Sequence, residues 1–211
     1  MRCVIISHGV IQDYKFHNDI IDDRDMVICA DAGCIHAYRM GVTPQLIVGD
    51  LDSVDPAVEQ YFRQLKVPFK IFPKEKDKTD TELAVDIALE QKADEILLMG
   101  VLGSRMDHTL ANISLLKTIA LGGARGRIVN EYNDIYITRD ELTISGNIGE
   151  YISLIPIDQR VVVRELTGLK FPLHDRELNY GSSLCISNEF TDSQAKVWVE
   201  GGWVLVIKAR D

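Results

Sequence analysis

The hydrophobic rhythm changes once along the chain, near residues 131–134, and that change bounds the folds open to it. Before it, short apolar runs at 3–7, 26–30, 45–49, 69–72, 95–100 and 126–130 alternate with helical patterns at 34–40, 55–66, 79–92 and 107–121. Near-continuous apolar strands separated by helices predict a mainly parallel sheet with helices covering it. After the change the helical period is gone. Short alternating runs follow at 135–139, 142–146, 151–157, 160–166, 183–188, 195–200 and 203–209, punctuated by turn residues such as Gly146-Asn147 and Gly201-Gly202. Many short strands with regular turns predict a β-sandwich or small barrel. The expected organisation is an α/β domain over 1–131 and an all-β domain over 132–211. No flexible linker composition marks the join.

Two helix starts are written locally. Asp55 precedes Pro56, an N-cap followed by proline at the first helical position. Thr79 and Glu82 stand in capping-box spacing.

Charge and composition exclude several classes. The 211 residues carry 32 acidic and 23 basic side chains, a net charge of −9. Such a chain is poorly suited to nonspecific binding of nucleic acid or anionic membranes. No apolar run approaches a membrane span, and the start reads as a first strand rather than a signal peptide. Cys3, Cys29, Cys34 and Cys185 have no CxxC spacing, and the first three fall in or beside apolar segments. Buried free thiols in a reducing cytoplasm are expected.

The aspartates carry the functional signal. Asp31 follows the run at 26–30; Asp50 and Asp52 follow 45–49; Asp77 and Asp80 follow 69–72; Asp107 follows 95–100. Four successive strand ends therefore deliver carboxylates to the one sheet edge where ligands bind. Gathered carboxylates repel each other unless a cation joins them, and hard oxygen ligands suit Mg²⁺ together with substrate phosphate. Each residue also has a local reading. Asp50 and Asp52 can end a strand, Thr79 can cap a helix, Asp80 can favour its dipole and Asp107 can be the N-cap of 108–121. Recurrence at equivalent strand ends is what favours a site. Lys76, Lys78 and Arg105 fall in the same loops and can neutralise polyphosphate oxygens. Gly33 and Gly103 permit close backbone approach. His108 adjoins Asp107 and Arg105 and is placed near the site. No GxxxxGK[ST], GxGxxG, GxSxG or HExxH motif occurs.

The segments ADAG, PQLIVGDLDSV, EKDKTDTELAVDIAL, GVLGSRMDHTLANISLL, YGSSLCISNEF and GGWVLVI, in that order, resemble the thiamine pyrophosphokinase family over nearly the whole chain. The main departure is ADAG where that family usually has DGG; Ala32 keeps a small residue. The resemblance implies an ATP-binding α/β domain and a C-terminal β-sandwich that helps bind thiamine and forms a homodimer. It implies transfer of pyrophosphate from ATP to the thiamine hydroxyl, releasing AMP. By motif, Mg²⁺ and catalysis fall to Asp50, Asp52 and Asp80, with Asp31 and Asp107 supporting, and Ser187 and Asn188 fall in the thiamine pocket. Either Asp80 or Asp107 would accept the hydroxyl proton. At least one of Trp198 and Trp203 is expected in the sandwich core. A phosphohydrolase using Asp50 as nucleophile and a noncatalytic sensor are the competing readings. The first leaves the 76–80 and 103–108 loops without work, and binding alone does not need so many acids.

Overall fold

The computed structural model describes residues 1–210. The chain divides into two compact units, Met1–Glu131 and Tyr132–Asp211.

In the first unit strands and helices alternate: β1 Arg2–Ile6, α1 Tyr14–Ile20, β2 Met26–Ala30, α2 Gly33–Met40, β3 Leu46–Gly49, α3 Pro56–Gln64, β4 Phe69–Ile71, α4 Asp80–Glu90, β5 Glu95–Met99, α5 Met106–Leu121 and β6 Arg125–Val129. The strands pair in parallel in the order β6-β5-β1-β2-β3-β4. The chain winds outward from β1 to β4, then returns to β5 on the other side of β1. That reversal creates a switch point at the carboxyl ends flanking β1, the place where an open α/β sheet binds ligands. Val4, Ile6, Val27, Cys29 and Ile47 pack with Ala37, Val58, Phe62, Phe16 and Ile20, so α1, α2 and α3 cover one face. The alternate residues Ile5 and Ile28 are fully buried on the other face. α4 packs against β1, β2, β3 and α5.

The caps explain the helix starts. The Asp55 side chain accepts from Ala57 N at 2.8 Å, and Thr79 Oγ1 accepts from Glu82 N at 3.2 Å. Glu82 turns to Lys78 instead of closing the box. α5 begins at Met106 with Arg105 as N-cap, so Asp107 lies in its first turn instead of capping it. Helix α1 is not among the helices expected from sequence. It has seven residues and only His17 buried, and Asp13 caps it by accepting from Phe16 N.

Gly33 shows how closely α2 approaches the sheet. A Cβ there would stand 2.0 Å from the Ile6 carbonyl oxygen. Gly33→Ala is therefore expected to destabilise by about 3 kcal/mol or more, the upper range for overpacking, because backbone must move. Thermal unfolding measures it, and an unchanged Tm would contradict this packing.

The second unit contains β7 Asn133–Thr138, β8 Glu141–Ser145, β9 Tyr151–Pro156, β10 Arg160–Thr167, β11 Leu173–Asn179, β12 Asn188–Glu189, β13 Gln194–Glu200 and β14 Val204–Ala209. Antiparallel pairs run in the orders β12-β9-β14-β7 and β11-β10-β13-β8. Their inward residues, among them Ile152, Leu154, Val161, Val163, Phe190, Val197 and Val204, form one buried core. The fold is thus an α/β unit followed by a β-sandwich.

The structure corrects three expectations. The run at 183–188 is mostly turn: Ile186 N bonds back to Ser183 O, and Ser187 takes a left-handed φ of 56°. Only Asn188 and Glu189 pair, with β9. Strand β11, LHDRELN, has no counterpart among the expected runs; it is an edge strand burying only Leu178, so charges hide its alternation. Neither tryptophan enters the core. On β13 the inward positions are Ala195, Val197 and Val199, which turns Trp198 outward beneath Lys196 Nζ. Trp203 is half-buried, with the Arg139 guanidinium 5.1 Å from its ring centre.

Candidate active site

The loops after the first five strands of the α/β unit surround a cleft of about 610 Å³, within the range of small-molecule sites. It opens at the switch point. One side is acidic. Asp31, Asp50 and Asp52 each offer a carboxylate oxygen, all within 4.8 Å of one another. The backbone makes this crowding possible. Asp31 adopts a φ of 46°, and its N–H is tied to Val48 O at 2.7 Å. Gly49 has a φ of 151°, and a Cβ there would meet Asp31 at 3.0–3.2 Å.

The electrostatics follow from position. Burial pushes the Asp31 carboxyl above its ordinary range, and the charges of Asp50 and Asp52 add to this. Its Oδ1 is buried and makes no hydrogen bond. Asp52 is held below the usual range by its hydrogen bond from Lys74, with Ser53 Oγ donating at 2.8 Å. Burial also raises Asp80, against the opposing pull of Lys76. The Lys76 ammonium stands between two aspartates, 3.4 Å from Asp50 Oδ2 and 3.3 Å from Asp80 Oδ1. Lys78 pairs with Asp86 at 2.6 Å and Glu82 at 3.4 Å. Arg105 grips Asp107 at 2.6 Å and drives its carboxyl down to about 2.

The residues expected from sequence fall into four groups. Asp31, Lys76, Lys78, Thr79, Asp80, Gly103, Arg105 and His108 line the cleft. Asp50 and Asp52 are not among the lining residues but adjoin them through Asp31, Lys76 and Lys74. Asp107 lies outside the lining, with 64% of its side chain exposed, and Gly33, the first residue of α2, is buried against the end of β1. In the sandwich unit, Ser187 is exposed and its N–H bonds Ser153 Oγ at 3.0 Å, while Asn188 is buried.

Sequence reasoning misses several lining residues: Ser7, His8, Gly9, Val10, Ser53, Lys74, Thr81, Thr109 and Asn112. A signal exists for the first four. They follow the first apolar run, and the strand-end logic applied to the aspartates covers that run too. Ser7 and Thr81 bond through their hydroxyls at 2.8 Å, both buried, which ties the β1 end to the start of α4.

Hard carboxylates and ammonium groups gathered along the carboxyl edge of a parallel sheet suit the class of α/β domains that bind a phosphorylated ligand with a divalent cation. Comparison with known proteins narrows that class. Residues 17–124 match the family described as thiamin pyrophosphokinase, catalytic domain, and 134–203 match thiamin pyrophosphokinase, vitamin B1 binding domain. The chain is 32% identical over 192 residues to the thiamine pyrophosphokinase of Bacillus subtilis (strain 168), covering 90% of each. A crystal structure of thiamine pyrophosphokinase from Bacillus subtilis superposes with a TM-score of 0.90 at 29% identity, covering all of both chains. That of thiamin pyrophosphokinase from Geobacillus thermodenitrificans gives 0.87 at 30% identity, covering 100% of this chain and 98% of that one. The chain belongs to the thiamine pyrophosphokinase family.

Proposed function

We infer that the protein transfers pyrophosphate from ATP to the hydroxyl of thiamine, giving thiamine diphosphate and AMP. The observation that carries the reading is the buried, unbonded Oδ1 of Asp31, set in a carboxylate trio beside a cation-lined cleft. Three mutually repelling hard oxygens fit Mg²⁺, and Asp31, Asp50 and Asp52 would hold it, with Asp80 alongside. Bound there, the ion would offset charge on the phosphates and on the departing AMP.

The chain's own groups supply the rest. Lys74, Lys76, Lys78 and Arg105 are now paired with acids, and polyphosphate oxygens are alternative partners for them at the cleft wall. Positioning does most of the work in such transfers, because little covalent chemistry is left to the protein. For the proton of the attacking hydroxyl, Asp80 is better placed than Asp107: it lines the cleft, whereas Asp107 is exposed and committed to Arg105.

The sandwich unit supplies the thiamine pocket and the contact of a homodimer in this reading. Ser187, exposed on a strained turn, is the candidate contact. Ser187→Ala should raise the KM for thiamine and leave that for ATP near wild type. Asn188 is different in kind. Its Oδ1 accepts from Phe171 N at 3.0 Å and its Nδ2 donates to Phe171 O at 2.8 Å. Asn188→Ala removes two part-buried hydrogen bonds to the Phe171 backbone and should cost about 0.5–1.5 kcal/mol of stability besides any effect on thiamine. Steady-state kinetics and thermal unfolding of the two variants separate the roles; a defect in ATP alone would remove both from the thiamine pocket. Light scattering should return the mass of two chains.

The four cysteines are buried and unpaired, consistent with a reducing cytoplasm. Burial pushes Cys3 and Cys34 up to about 12 and Cys185 to about 11, so none of these three is a ready nucleophile. No helix among the described residues is long and apolar enough to cross a membrane.

The direct test incubates the protein with Mg²⁺, ATP and thiamine and identifies products by mass. Thiamine diphosphate with equimolar AMP is expected. ADP, or inorganic phosphate alone, would overturn the reading and favour a hydrolase.

A further inference from the structure

Behind the cleft wall runs a hydrogen-bond chain to which the transfer chemistry assigns nothing. Arg39 Nη1 donates to the Tyr14 hydroxyl oxygen at 2.8 Å. A guanidinium can only donate, so the hydroxyl's own hydrogen is free for His36 Nδ1, 2.9 Å away. Nδ1 then accepts, which places the imidazole proton on Nε2. From there it donates to the Gly9 carbonyl at 2.9 Å. One neutral tautomer satisfies every member.

The environment keeps the ring in that state. His36 is 6% exposed. Burial lowers its pKa most; the hydrogen bond to Gly9 O opposes this, while His8 in the loop after β1, Arg39 on its own helix and His17 on α1 add to the lowering. The His8 and Tyr14 rings each lie 5.7 Å from it, centre to centre.

What the chain holds is a single peptide plane. The Gly9 carbonyl is bound by His36, and the N–H of the same peptide, on Val10, donates to Leu102 O at 2.8 Å. Gly9 N donates in turn to Gly100 O. A Cβ on Gly9 would stand 2.5 Å from the carbonyl oxygens of both Gly100 and Leu102, so the loop is pressed against the β5 loop. Gly9, Val10, Gly100 and Leu102 all line the cleft. Backbone contacts fix this wall toward β5; His36 fixes it toward α2.

We propose that His36, oriented by Tyr14 and Arg39, is a positioning residue for nucleotide binding: its Nε2–H sets the Gly9–Val10 peptide that forms one wall of the cleft. The inference rests on reading that cleft as the ATP site. It differs from a packing role in being selective. A loosened wall weakens ATP binding and leaves thiamine, assigned to the other unit, unaffected.

The test uses the full-length chain. Calorimetry with Mg²⁺ and ATP, KM values for both substrates, and thermal unfolding are measured for wild type, His36→Leu, His36→Gln and Tyr14→Phe. His36→Leu should raise the Kd for ATP about tenfold, the scale of one lost buried hydrogen bond, with the thiamine KM within about twofold. His36→Gln, whose amide keeps a donor in reach of Gly9 O, should recover most of the loss. If His36→Leu does not fold, Tyr14→Phe carries the test, with a smaller ATP-selective rise and faster hydrogen exchange at the Val10 amide. ATP binding unchanged in every folded variant overturns the clamp. So does a loss shared equally by both substrates, or a failure of glutamine to rescue. A wild-type protein that binds no ATP overturns the reading of the cleft itself, and the clamp with it.

Discussion

Asp50→Asn and Asp52→Asn should each lower kcat by about a hundredfold or more while leaving the fold intact. A metal-bound charge is worth several kcal/mol to such a transfer, and each 1.36 kcal/mol is a factor of about ten in rate. The substitution keeps the shape of the side chain but removes the anionic oxygen that a hard cation requires. For Asp52→Asn stability should barely move, whereas Asp50, 16% exposed and 3.4 Å from the Lys76 ammonium, gives up a largely buried ion pair. Asp52 is exposed, and its partners Lys74 and Ser53 are exposed too; surface changes of this kind are usually worth within about 0.5 kcal/mol either way. Turnover is measured at saturating Mg²⁺, so that weakened affinity alone does not mimic the loss. Near-normal turnover in both variants would remove the metal centre from the account.

Asp80→Asn separates a helix-end residue from a catalyst. Asp80 is the first residue of α4, and the cap itself comes from Thr79. As a dipole partner only, its carboxylate is worth about 0.3–1 kcal/mol of stability. As the group lining the cleft beside Lys76, it should carry activity far beyond that: a loss of about a hundredfold or more in kcat, the lower range for a general base. Kinetics and thermal unfolding of one preparation decide. A purely thermal phenotype would return Asp80 to the helix.

Much of this is legible in the amino-acid sequence, because parallel strands announce themselves as apolar runs and their carboxyl ends share one edge. That logic reaches Asp31, Asp50, Asp52 and Asp80, and the structure brings the first three together. What the sequence hides is set by tertiary contact. Nothing in KEKDK says that Lys76 bridges two aspartates while Lys74 holds a third; as sequence it is a solvated run. The loop of Ser7, His8 and Gly9 is marked only by its place after the first apolar run, because it has no carboxylate, although it lies at the centre of the switch point. His36 looks idle since its partners Tyr14 and Gly9 are 22 and 27 residues away. Strand β11 and helix α1 escape for a simpler reason. Strand β11 fully buries only Leu178, and the seven residues of α1 give its packed pair Phe16 and Ile20 too short a window to show a period.

On this account the cleft passes the terminal two phosphates of ATP as one group to thiamine. ATP labelled separately at the α, β and γ phosphorus tests that transfer most directly. The β and γ labels should both appear in thiamine diphosphate, the α label only in AMP, and Asp50→Asn should suppress the appearance of all three labels in products together. A γ label released as inorganic phosphate, or found on thiamine without the β label, would contradict the account.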